Sequence, residues 1–335
     1  MATPTISSVS GTLTHGETIT LSVANEGTSP LPLLLWEDFS TGTVGNNLNA
    51  SPQVGTWALN TIPTAKYNDT QVHRVGGKTA YANRTDAVGE WSNFNVEDVA
   101  EAPHFYQTFW FRYALPNLQG PVKLSQVHGS VGNFTPGVGI GDLSGGNWQW
   151  YIQKEDTGFV QDSCSNPSED AWHHFEWILK ESSPNTANGN VIAKIDTVAE
   201  CNQVNIITRQ TSAHWYLFEF FTGITGFDLD NEETWIADCY LNDSWARVEI
   251  GDNAAYASCT HREIQRPLTW ASGAITFQLN TGSFANDATV YVFVINDTDN
   301  GTDGERSSGF EITLGGEGGG GEPGTTAILM PQILL

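Results

Sequence analysis

Along Glu17–Ala24 the apolar residues Ile19, Leu21 and Val23 alternate with Thr18, Thr20 and Ser22. Period-two alternation predicts a half-buried strand, and Gly11–Gly16 before it supplies a turn. Pro4–Ser10 reads as a neighbouring strand. Phe105–Tyr113 is aromatic and β-rich, as are Trp148–Gln153, Phe175–Lys180, Val191–Ile195 and Trp215–Phe221. Clusters of Gly, Asn, Asp and Pro punctuate these runs at short intervals, and no helical periodicity extends beyond two turns. The 34 glycines in 335 residues suit the tight turns of an antiparallel all-β protein.

The order of the strands predicts two domains, one split by the other. The first 27 residues hold only two strands, too few to close a sandwich. The missing strands come late: Arg247–Ile250, Arg262–Arg266, Ala274–Asn280, Thr289–Asn296 and Phe310–Leu314. Two plus five gives about seven, the count of an immunoglobulin-like sandwich. PTISSVSGTLTHGETITLSV (Pro4–Val23) resembles the opening of IPT/TIG-type immunoglobulin-like domains. SGAITFQL, ATVYVFVINDTDNG and SGFEITL resemble their closing strands. The expected division is 1–27 plus 246–314 for this sandwich, 28–245 for the insertion and 315–335 for a tail.

Within the insertion, AWHHFEWILKESSPNTANGNVIAKIDTVAE (Ala171–Glu200) is similar to a segment of concanavalin A-like jelly rolls, as are FYQTFWFRY and WIADCYLNDSWARVEI. Trp172 and Phe175 are expected to anchor a core, with Ser182–Gly189 as a turn. Val191, Ala193 and Ile195 should point inward, opposite Ile192, Lys194 and Asp196.

Charge narrows the partners. The chain carries 14 Lys+Arg against 38 Asp+Glu, a net of −24, while 11% of residues are aromatic. The aromatic content marks a folded chain. The shortage of cations argues against nucleic acid and anionic membranes, and it disfavours polyanionic substrates. The N-terminus has no basic or apolar region of a secretory signal, and no stretch approaches the roughly 18 apolar residues of a membrane span. Cys164, Cys201, Cys239 and Cys259 are expected as buried free thiols, with a Cys164–Cys201 disulfide as the alternative.

Three constellations offer chemistry. Gln126-Val127-His128 resembles the Q-[IV]-H motif of jelly-roll alginate lyases, in which the Gln and His neutralise and deprotonate a uronate. Residues i and i+2 of a strand share a face, so Gln126 and His128 point together, and Tyr151 is a candidate neighbour. The companion arginine-rich and Tyr-bearing strands of that family are not recognisable, and a plain polar strand face is the simpler reading. Asp228, Asp230 and Glu232 in GFDLDNEE read as an acidic loop, as a Ca2+ site, or as the E-x-D-x-E carboxylates of jelly-roll glucanases. Trp148, Trp150, Tyr151, Trp215 and Tyr216 offer rings for stacking on sugars or for core packing. His173 and His174 should face opposite sides of a strand and so share no metal.

After Leu314, Gly315–Gly324 is a flexible linker. It leads to an apolar peptide that is either a disordered tail or an anchor docking through Ile328, Leu329, Met330, Ile333, Leu334 and Leu335. The split arrangement, acidic composition and tail resemble phage virion components. The expected protein is therefore a non-enzymatic virion surface protein of the head-decoration or fibre type. It would assemble as a homo-oligomer with other virion chains through its base and tail and display a glycan-binding jelly roll at the virion surface. The alternative is a secreted polysaccharide lyase or glycoside hydrolase, with Gln126, His128 and Tyr151 as its first candidates.

Overall fold

The computed structural model describes residues 2–48, 51–60, 65–84, 93–114, 122–129, 135–140, 148–154, 158–220, 232–315 and 317–318. In the strand Thr18–Ala24, Ile19, Leu21 and Val23 are buried and their polar neighbours exposed, as alternation requires. This strand pairs with Thr5–Thr12 on one side and with Ala274–Gln278 on the other, roughly 250 residues later. The chain ends thus share one sheet, ordered Arg266–Ala271, Ala274–Gln278, Thr18–Ala24, Thr5–Thr12 and Glu317–Gly318. A second sheet, ordered Arg262–Ile264, Arg247–Gly251, Thr289–Ile295 and Phe310–Thr313, packs against it. The two enclose a core of Ile19, Leu21, Val248, Ile250, Phe277, Val292 and neighbours.

Between these ends stands a larger jelly-roll β-sandwich. One of its sheets has seven strands, in the order Gly158–Ser163, Trp148–Lys154, Thr135–Ile140, Val122–Gly129, Trp215–Phe220, Asn93–Val96, Ala58–Asn60. The other has nine, with His173–Lys180, His104–Ala114 and Glu232–Asn242 at its centre. Aromatic side chains fill the space between: Phe105, Phe109, Phe111, Phe175, Trp177, Trp215 and Phe218 are fully buried. Trp177 Nε1 donates to Ser125 Oγ across the two sheets at 2.9 Å, which satisfies the indole in an apolar setting.

The nine-stranded sheet is covered on both faces. Val191, Ala193 and Ile195 enter the jelly-roll core as expected, but Ile192 is also buried. It joins Trp36, Tyr106, Ile178, Tyr240 and Trp245 in a second cluster that reaches Ile264 of the small sandwich. The period-two pattern puts Ile192 and Lys194 on the side opposite that core, but solvent does not cover them there. They instead meet the other sandwich, and Lys194 Nζ lies 3.4 Å from Asp303.

A buried ionic network lies beside this apolar seam. Glu176, on a central strand of the large sandwich, accepts from Arg262 Nη2 at 2.5 Å and from Tyr106 Oη at 2.8 Å. Glu249 of the small sandwich accepts from Arg247 Nε at 2.5 Å, Arg262 Nε at 2.9 Å and Tyr256 Oη at 3.1 Å. The Arg247 guanidinium lies 4.0 Å from the Tyr106 ring centroid and that of Arg262 4.5 Å from Tyr256. Burial alone would raise the Glu176 pKa, but Arg262 overcomes it and holds the carboxyl well below the ordinary range.

All four cysteines are free, and Cys201 Sγ approaches the Val191 carbonyl oxygen, so the Cys164–Cys201 disulfide does not form. Asp228, Asp230 and the tail carrying Ile328, Leu329, Met330, Ile333, Leu334 and Leu335 lie outside the described residues. Glu232 begins the strand Glu232–Asn242, and its side chain also lies outside them.

Candidate functional site

The seven-stranded sheet turns one face to the core and the other outward. Ser125 and Val127 point inward, so Gln126 and His128 point out from the same strand. Pairing then carries a row across the sheet. Gln126 lies opposite Gly137, and Gly137 opposite Tyr151, which in turn pairs with Gln161. On the other side Val127 pairs with Phe218 and His128 with Leu217, which brings Glu219 alongside Gln126; Glu219 pairs with Asn95. Asn95, Glu219, Gln126 and Tyr151 thus form one transverse polar row, with His128 beside it.

Glycine makes the row continuous. A Cβ at Gly137 would lie 2.2 Å from Tyr151 Cζ and 2.3 Å from its Oη. The phenol therefore lies across the Gly137 backbone, and Gln126 Nε2 donates to its oxygen. Any larger residue at 137 would lift the ring off the sheet. Burial first, and the Glu219 charge second, push the Tyr151 pKa well above the ordinary tyrosine range.

Glu219 is held from behind. Its carbonyl accepts from Gln107 Nε2 at 2.9 Å and from Ser125 Oγ at 2.8 Å. Its carboxylate is buried, and Oε1 stands 3.3 Å from His128 Nε2. That approach lacks hydrogen-bond alignment: His128 Nε2, Glu219 Oε2 and Asn95 Oδ1 are buried polar atoms with no hydrogen-bond partner. Such atoms occur elsewhere among the described residues, Trp36 Nε1 and Tyr240 Oη included, but here three lie on neighbouring strands of one sheet face. Lys123 lies within electrostatic reach of Glu219, and desolvation lowers its pKa.

Of the residues singled out in the sequence, Gln126, His128 and Tyr151 come together. Trp148 and Trp150 do not join them. At 2% and 6% exposure they belong to the core, Trp148 beside Phe111 and Tyr113, because alternation along this strand turns Tyr151 outward and its tryptophans inward. Trp215 is likewise core, packed near Phe105. His173 and His174 are engaged separately, by Asp196 at 2.6 Å and Thr108 at 2.6 Å. Glu219, Asn95 and Lys123 were not anticipated. The signal for Glu219 was present: it is the lone charge in the aromatic run WYLFEF.

No protein-family model matches the chain, and no curated protein matches it. Solved structures similar to it include alginate lyase Aly36B (TM-score 0.49, 11% identity, covering 62% of this chain and 95% of that one). The endo-β-1,4-glucuronan lyase of the fungus Trichoderma reesei is another (TM-score 0.40, 10% identity, 64% and 93%). A third is alginate lyase vAL-1 from Chlorella virus (TM-score 0.41, 12% identity, 56% and 92%).

Proposed function

We propose that the outer face of the seven-stranded sheet binds an acidic polysaccharide and cleaves it by β-elimination. The observation that carries this reading is the convergence of Gln126, His128 and Tyr151 around buried polar atoms that lack partners. Elimination requires a donor for the uronate carboxylate, a base for the C5 proton and an acid for the departing O4. In this reading the Gln126 amide and Lys123 neutralise the carboxylate, which acidifies C5–H. His128 takes the C5 proton as the C4–O4 bond breaks and the C4=C5 double bond forms. Tyr151, kept protonated by burial and by Glu219, passes its proton to O4. Glu219 orients His128 and balances the imidazolium as it forms.

Hydrolysis fits less well, because it calls for two carboxylates across the scissile bond and, among the described residues, the row carries one. The test is to incubate the full chain with alginate and glucuronan and follow the ultraviolet absorbance of the new double bond. Product should appear and fall at least about 100-fold in His128→Ala. Retained polysaccharide binding with no unsaturated product would overturn catalysis and favour the displayed glycan-binding module of the virion reading. Neither binding nor product would overturn both.

A further inference from the structure

On the far side of the molecule from that face, two histidines and a glutamate meet where the sandwiches join. His73 comes from the segment before the strand Thr79–Arg84 of the large sandwich. Glu263 lies in the strand Arg262–Ile264 of the small one and His261 immediately precedes it, and spacing i, i+2 puts both on one side. His73 Nε2 is 2.8 Å and His261 Nε2 2.6 Å from the same oxygen, Glu263 Oε1. One ligand atom from each of the three residues lies within 4.8 Å of the others.

Hydrogen bonding alone accounts poorly for this arrangement. Glu263 Oε1 has two lone pairs, yet Ser283 N–H also points at it, at 3.2 Å, alongside both imidazoles. The second oxygen is engaged separately by Trp110 Nε1–H at 2.9 Å. His73 Nδ1 is buried without a hydrogen-bond partner. The same is true of Asp238 Oδ2, on a fully buried side chain that interacts electrostatically with both His73 and Glu263. Asp238 sits at a bulge of the strand Glu232–Asn242 with φ of 50°, which redirects its side chain out of the sheet pattern. A Cβ at Gly282 would fall 1.8 Å from the Glu263 carboxyl, so the carboxylate occupies a recess that only glycine leaves open.

We propose that His73, His261 and Glu263 bind a zinc-class divalent cation that ties the two sandwiches together. Two imidazoles and a carboxylate are a donor set suited to Zn2+, with metal–ligand distances of about 2.0–2.2 Å. Ligand atoms around such an ion stand roughly 3.3 Å apart, so the present 2.6–2.8 Å spacings open by about half an ångström on binding. Asp238 supplies the neighbouring negative charge that completes the shell or holds its water. One ligand from the large sandwich and two from the small make the ion a bridge.

The test uses the chelator-stripped full chain, titrated calorimetrically with Zn2+ and, in the visible, with Co2+. Expected are one equivalent per chain, the absorption of tetrahedral Co2+ and an unfolding midpoint that rises by several degrees with metal and falls with chelator. His261→Gln changes a partly exposed side chain and should leave the far-ultraviolet spectrum intact while weakening affinity by more than about 100-fold. His214→Gln, remote from the cluster, should change nothing. Absence of saturable uptake, or uptake equal in wild type and His261→Gln, would overturn the site.

Discussion

Two polar regions of this protein use similar side chains to opposite ends. At the seam between the sandwiches, Glu176, Glu249, Arg247 and Arg262 are buried, and each charge has its partners: forked guanidinium contacts, tyrosine hydroxyls and stacked rings. On the outer sheet face, Glu219 and Asn95 are also buried, yet Glu219 Oε2, Asn95 Oδ1 and the nearby His128 Nε2 make no hydrogen bond. Burial is common to both. What separates them is how the charges are paired: the four at the seam compensate one another inside the protein, whereas on the sheet face Glu219 has His128 at 3.3 Å and a second oxygen without a hydrogen bond. The His73–His261–Glu263 cluster is instructive because it lies at the first kind of location and has the second kind of chemistry.

The largest effect of a single substitution is expected at the seam. Arg262→Ala leaves Glu176 and Glu249 as under-compensated buried charges, and it should cost about 3–5 kcal/mol of stability in denaturant unfolding. On the sheet face the expected effect is on chemistry alone. Tyr151→Phe should lower elimination by at least about 100-fold with stability changed by less than about 1 kcal/mol. A comparable loss of stability there would mean the row is structural, like the seam. Gly137→Ala is subtler: it should tilt Tyr151 away from Gln126 and reduce activity by about tenfold or more, read as kcat in steady-state assays.

A titration sharpens the contrast further. Glu37 is buried in the large sandwich, and burial first, then the charge of Asp38 among others, pushes its pKa up to about 7 despite backbone hydrogen bonds from Phe39 and Gln53. Unfolded, it titrates at an ordinary 4.5. Between those values the folded state holds the extra proton, so stability falls as pH rises from about 4.5 to about 7 and then levels off. Glu37→Gln should flatten that decline by on the order of 1–3 kcal/mol, seen in unfolding free energies at about pH 4 and about pH 8, on either side of the window. The smallest effect concerns net charge. Raising salt from about 10 mM to about 0.15 M shortens the Debye length from about 30 Å to about 8 Å, so KM for a polyuronate should fall severalfold as long-range repulsion is screened.

Much of the strand plan was legible from alternation. Thr18–Ala24, Trp148–Lys154, Trp215–Phe220 and Thr289–Ile295 lie within a residue or so of their expected limits. The pairing of the first two strands with late ones followed from counting, since two strands cannot bury a face. That Gln126 and His128 share one face also followed, because period two is a local property, but that this face is the outer one did not. The roles of Trp148 and Trp150 were harder. Alternation said only that they share a side, and which side is inward depends on the opposite sheet.

By itself, then, the sequence determined what depends on neighbours along the chain: the strands, their two-sidedness, the turns, and the net charge of −24. Tertiary structure decided everything that depends on distance in space. It set Tyr151 over Gly137 and against Gln126, and it brought Glu219 to His128 from some 90 residues away. It also buried Ile192 under a second sandwich and joined His73 to Glu263 across 190 residues. Strand registers and packed faces set those meetings, and such contacts leave no period in the chain for an alternation to reveal.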